Sequence, residues 1–210
     1  MAKEWAEYIS ARDKGIKPLW KPLLDERIRH ISSLKGKDEE EYIEELCVEY
    51  FDNEMYKIPI QHPEIWKRVL DLWSRNVDDN DERYLLRILK AISYDGVYKI
   101  LMLDPVEILE RVLTINPYNQ AAEKLLYKEY LDQLDFALHE LPSGLLAEEE
   151  QCSKVIERCE SMVRINPELV ESTSRFNVGL EHYKKVFYGW LEYKNSNSKE
   201  EFCDWLRNKI

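Results

Sequence analysis

Apolar residues recur along most of this chain at the three- and four-residue spacing of a helix buried on one face. The clearest stretch is 38–52, where Tyr42, Ile43, Leu46, Cys47, Tyr50 and Phe51 share a face. Glu41, Glu44, Glu45, Glu49 and Asp52 occupy the other. After Pro63, the spacing of Ile65, Trp66, Val69, Leu70 and Trp73 predicts a helix to about Arg75. Tyr84, Leu85, Ile88, Leu89 and Ile92 predict another over 81–93. Residues 2–13, 23–34 and 199–209 read as shorter helices, the last placing Phe202, Trp205, Leu206 and Ile210 on the body. The apolar run 97–103 fits a buried helical turn or a strand equally well.

The breaks between these stretches are prolines, glycines and polar runs. Lys17-Pro18 and Lys21-Pro22 precede the second helix and Gly36 ends it. Asp38 suits a helix cap, with Glu41 three residues on. Ile58-Pro59 and His62-Pro63 set a sub-boundary near 53–63. It separates N-terminal helices (1–52) from a C-terminal helical-repeat part (63–210) within one expected domain, 1–210. Asn76 to Asp81 and Asp95-Gly96 read as turns.

One element occurs twice. Residues 104–116 end in Thr-Ile-Asn before Pro117, and residues 155–166 end in Arg-Ile-Asn before Pro167. Ile115 and Ile165 are 50 residues apart. A residue before proline is pushed out of the helical region, so the first helix must stop there. Proline then suits the first turn of a following helix, with Asn as its cap. Long helices over 118–140 and 168–194 are therefore expected.

The run Val112-Leu113-Thr114-Ile115-Asn116-Pro117-Tyr118-Asn119-Gln120-Ala121-Ala122 resembles the tetratricopeptide class. The resemblance implies an all-α fold of stacked antiparallel helical hairpins with a binding surface, here about nine to eleven helices in an irregular array. That family repeats at about 34 residues, whereas the spacing here is 50.

Composition sharpens the functional reading. The chain has 41 acidic against 30 basic residues, a net charge of −11. Phosphates repel such a protein, so neither nucleic acid nor an anionic membrane is an expected partner. A basic protein is. Between Asp38 and Glu54 there are nine acidic residues and no basic one. The acidic faces 38–54 and 78–82 resemble, at the level of class, the immunity proteins of bacterial toxin systems. The resemblance implies an inhibitor that neutralises a basic toxin domain, with Glu41, Glu44, Glu45, Glu49, Asp52, Asp78, Asp79 and Asp81 as contact residues. The alternative is a tetratricopeptide-like adaptor or regulator that uses an aromatic groove of Tyr183, Phe187 and Trp190. The same three rings also suit core packing between long helices.

Catalytic chemistry has no linear signature here, and a non-catalytic protein without a cofactor is expected. The six glycines are isolated, so no phosphate loop forms. No HExxH or CxxC pair occurs, and Cys47, Cys152, Cys159 and Cys203 read as ordinary reduced thiols. Asp78-Asp79-Asn80-Asp81-Glu82 invites a calcium reading, but a loop begun at Asp79 has Tyr84 where glycine is needed and Lys90 where Glu is needed. The residues better suit an acidic helix start. His30, His62, His139 and His182 are scattered, and an enzyme without a linear motif would need them to converge with carboxylates. The charged first thirteen residues contain no apolar core of a signal peptide, and no 18-residue apolar run occurs, so a cytoplasmic location is expected.

Overall fold

The computed structural model describes residues 2–76, 81–94, 97, 104–196 and 198–208, and of Ala2 and Lys3 only the backbone. The described residues form helices and turns, with no strand. Two compact units divide at Asp104, residues 1–104 and 105–210. Of the run 97–103, Val97 is helical and buried, and 98–103 lie outside the described residues.

The first unit contains α1 (Ala2–Asp13), α2 (Lys17–Ser33), α3 (Lys37–Cys47), α4 (Pro63–Asn76) and α5 (Glu82–Lys90). α1 packs on α2, and α4 touches α2, α3 and α5. α4 is central because its apolar residues cover a wide arc: Ile65, Trp66, Val69, Leu70, Leu72 and Trp73 are all buried. Ile58 and Ile60, in the expected sub-boundary, are buried inside this unit.

Three local expectations change. α2 begins at Lys17, six residues before its expected start. Pro18 falls in the first turn, where a missing N–H costs nothing. Pro22 then forfeits only the bond to the Pro18 carbonyl at the exposed start of the helix. Gly36, at φ +58°, caps the N-terminus of α3, so Asp38 lies inside the first turn and is not the cap. The amphipathic helix 38–52 also changes pitch. Its last turn, Val48–Asp52, is a π-helix closed by Asn53 N–H to the Val48 carbonyl at 2.9 Å.

The second unit contains α6 (Pro105–Ile115), α7 (Gln120–Leu138), α8 (Glu149–Ile165), α9 (Leu180–Asn195) and α10 (Phe202–Asn208). α7 packs on α6, α8 and α9, and α10 packs on α9. A Cβ at Gly189 of α9 would stand 2.4 Å from Leu206 Cδ1, so glycine lets α10 lie close.

The two Ile-Asn-Pro junctions use one device. Asn116 Oδ1 accepts from Tyr118 N–H, and Asn166 Oδ1 accepts from Glu168 N–H, each at 3.2 Å. This is the side-chain turn typical of Asn, spanning the proline that has no N–H to give. Neither proline opens a long helix. After Pro117, α7 starts only at Gln120 and its cap is Asn119, whose Oδ1 accepts from Ala122 N–H at 3.0 Å. After Pro167 there is one 3₁₀ turn, Pro167–Glu171, then an irregular segment to Gly179. The expected helix 168–194 is therefore confined to α9, because the run Ser172-Thr173-Ser174 and a left-handed Asn177 (φ 60°) break it.

Candidate functional site

The acidic residues of α3 and its π turn are partly paired within the fold. Arg87 of α5 is 1% exposed and sits among them. Its Nη1 donates to Glu44 Oε1 at 2.8 Å and Oε2 at 3.0 Å. Its Nε donates to Asp52 Oδ1 at 3.1 Å, and its Nη2 donates to Asp52 Oδ2. Tyr84 OH donates to Glu44 Oε2 at 3.0 Å. Burial works against the guanidinium charge, but the bonds Arg87 donates to Asp52 and Glu44 outweigh it and hold Arg87 protonated.

The π turn makes this clamp possible. Eight residues separate Glu44 from Asp52, which is about 80° around an ideal α-helix. A turn closed at i+5 winds less per residue and swings Asp52 back toward the line of Glu44. One guanidinium then reaches both carboxylates.

The remaining acidic candidates are dispersed. Asp81 caps α5, accepting from Arg83 N–H at 2.9 Å and pairing with Arg83 Nη2 at 3.0 Å. Glu41 pairs with Lys37 at 3.3 Å, and Glu49 accepts from Asn53 at 3.3 Å. Glu45 is exposed. Asp78 and Asp79 lie outside the described residues. Acidic charge is also not concentrated by unit: residues 1–104 hold 22 acidic and 17 basic side chains, and residues 105–210 hold 19 and 13.

Tyr183, Phe187 and Trp190 are all buried, so the aromatic stripe of α9 lines no open groove and packs the second unit's core. Tyr183 OH donates to Ser174 at 2.8 Å and Asp135 at 3.1 Å. The open surface of this unit lies elsewhere. A groove of about 1270 Å³ runs along α6, α7 and α8 and ends on both Ile-Asn-Pro corners. Leu113, Pro117, Tyr118, Leu126, Met162 and Ile165 give it an apolar lining. Tyr118 is 91% exposed and Ile165 is 82% exposed. Arg158 and Lys154 also line a second hollow of about 650 Å³ beside it, whose wall includes the exposed Phe136.

The groove is held open by a polar triad that joins three helices. Tyr130 OH donates to Glu110 Oε1 at 2.7 Å, and Arg158 Nη1 donates to the same oxygen at 2.8 Å. Arg158 also reaches Tyr130 OH at 3.0 Å. Burial, with the Glu110 carboxylate beside it, pushes the Tyr130 phenol up to about 12. It stays protonated near neutral pH and serves as a donor that braces the helices.

The histidines have separate neighbours. His30 meets Tyr42 edge to face at 5.4 Å, and His62 Nδ1 accepts from Glu64 N–H at 3.4 Å. His182 meets Tyr183 at 5.7 Å, and His139 follows the last turn of α7. Cys47, Cys152 and Cys159 are buried, Cys203 is exposed, and all four are free thiols. Among the described residues no three His, Cys, Asp or Glu side chains converge as metal ligands. No helix of the described residues is long and apolar enough to cross a membrane.

Sequence reasoning missed Arg87, Tyr118 and Ile165. Arg87 carried a signal: it is three residues after Tyr84 and four before the buried Ala91, the spacing of an inward face. The exposure of Ile165 carried none, since an isoleucine ending an amphipathic helix reads as core. Comparison with known proteins finds no matching family model, no matching characterised protein and no matching solved structure.

Proposed function

We propose that this chain is a non-catalytic protein-binding module that takes an apolar, net basic segment of a partner protein in the groove along α6, α7 and α8. The observation that carries the reading is the exposure of Tyr118 and Ile165 at the two corners that end the groove. Large apolar side chains left this open, lining one groove and rimmed by charge, mark an interaction surface. Tyrosine is also a favoured anchor in such contacts.

The net charge of −11 favours a basic partner through long-range attraction. The exposed Glu157 on α8, in the groove wall, offers that partner a local contact. A chain that neutralises a basic toxin domain is the sharpest form of this reading and needs the same partner charge. This reading favours the corners over α3 as the contact, supported by the pairing of Glu44 and Asp52 with Arg87. The two equivalent Asn turns support an irregular tetratricopeptide-like arrangement of the second unit.

The test is co-purification from the source cells at low salt, comparing the wild type with Tyr118→Ser/Ile165→Ser and with Glu45→Lys. A stoichiometric partner lost from the double variant and kept by Glu45→Lys is the expected result. Loss from Glu45→Lys alone returns the contact to α3. No stoichiometric partner with any form rejects a binding role.

A further inference from the structure

The first unit holds a cavity of about 380 Å³ whose chemistry runs against the rest of the chain. One wall comes from α1 and α2 and presents Tyr8, Arg12 and Trp20. The other comes from the segment around and after the π turn and presents Tyr50, Tyr56 and His62. Each wall contains an edge-to-face ring pair: Tyr8 with Trp20 at 6.3 Å and 90°, and Tyr50 with Tyr56 at 5.3 Å and 84°. Such pairs fix ring orientation, and in each pair one ring keeps open surface: Trp20 is half-buried and Tyr56 is 54% exposed.

In a chain with 41 carboxylate side chains, none lines this cavity. Its charged member is Arg12. Arg12 Nη1 donates to Tyr8 OH at 2.8 Å, and its guanidinium lies 5.9 Å from the centre of the Tyr8 ring. It has no carboxylate partner among the described residues. The neighbouring sequence adds Lys14 and Lys17, both exposed, and Asp13, next to Arg12, is held by Lys57 at 2.7 Å. Aromatic rings alone would suit an organic cation, but the exposed Arg12 guanidinium, tethered to Tyr8 OH in the same wall, repels one.

We propose that this cavity binds a small anion with a flat aromatic body. The ring of the ligand stacks against Trp20 and Tyr56, and its carboxylate or phosphate group takes paired bonds from Arg12, whose planar fork matches either group. The volume suits a molecule of one or two fused rings, at the small end of ligand sites. This site is in residues 1–104 and is independent of the groove in the second unit.

The test is titration of the full chain, followed by NMR at the Trp20 indole N–H, a signal assigned by its absence in Trp20→Phe. The probes are indole-3-acetate and adenosine monophosphate, each beside its uncharged counterpart, indole-3-acetamide and adenosine. A saturable shift with at least one anion is expected, with its neutral counterpart binding about tenfold more weakly. Arg12→Gln lowers affinity for the anion by about tenfold and leaves the neutral compound unchanged. Gln61→Glu, at an exposed position of the rim, weakens the anion as well, and a thermal melt of each variant checks that the fold is intact. Saturation by indole-3-acetate alone assigns the site to carboxylates, and by adenosine monophosphate alone to phosphates. No saturable shift with either anion, equal binding of the neutral counterparts, or an unchanged affinity in Arg12→Gln overturns the proposal.

Discussion

Asn166 Nδ2 donates to Glu123 Oε2 at 2.7 Å, tying the second Ile-Asn-Pro corner to the first turn of α7, which follows the first corner. The same Asn166 accepts from Glu168 N–H through Oδ1. One side chain therefore sets the turn at its own corner and the spacing between the two corners. Asn166→Ala should lose both bonds and cost about 1–2 kcal/mol, read from the midpoint of urea unfolding. Asn166→Asp keeps the acceptor but sets two carboxylates against each other, so it should be destabilised more at pH 7 than at pH 4.

The Arg87 cluster makes an asymmetric prediction. Glu44 and Asp52 keep 28% and 36% of their side chains exposed, whereas Arg87 keeps 1%. Removing the cation in Arg87→Met lets water reach both carboxylates and should cost about 1–3 kcal/mol. Removing both anions in Glu44→Ala/Asp52→Ala strands a buried guanidinium and should cost about 3–5 kcal/mol. Chemical denaturation of the two variants checks the order. An Arg87→Met variant that is the less stable of the two would contradict the clamp.

Acid sensitivity follows from Asp81. The bond from the Arg83 side chain, aided by the backbone N–H, lowers its carboxyl below the ordinary 3.8 and outweighs the opposing effect of burial. A carboxyl lowered on folding stabilises the native state above its unfolded value. That contribution fades as pH falls through the folded value. Asp81→Asn should therefore be less stable than wild type at pH 6, and the two stabilities should converge as pH falls through the folded value, which lies below 3.8. Parallel denaturation curves across that range would show that Asp81 is not linked to folding.

Thiol reactivity should divide by burial. Desolvation pushes the Cys47 and Cys159 thiols up to about 12 and raises Cys152 as well. Cys203 is exposed. Iodoacetamide at pH 8 should label Cys203 alone in the native protein and all four cysteines in urea, as counted by mass spectrometry.

The helices that could be read from the sequence are those whose apolar stripe is long and uninterrupted. α4 and α5 begin and end within a few residues of their expected bounds, because Ile65 to Trp73 and Tyr84 to Ile88 carry the period themselves. What failed was any inference that needed a side chain's partner. Pro22 reads as a helix breaker, yet only one exposed carbonyl loses its bond. Pro167 reads as a helix starter, yet Ser172 to Ser174 and Asn177 offer the backbone other bonds. The acidic face of α3 was visible as a pattern. Its neutralisation was not, because Arg87 is 43 residues from Glu44 and 35 from Asp52. The groove was half visible. The Ile-Asn-Pro pair marked two corners that line it, but only packing shows that Tyr118 and Ile165 are exposed there.

A partner seated in the groove of the second unit would touch both of its corners. A photo-crosslinking residue placed singly at positions 118, 165 and 45 tests this in cells. Crosslinks to one protein from 118 and 165, with none from 45, are the predicted result. Crosslinks from 45 with none from 118 or 165 would contradict it.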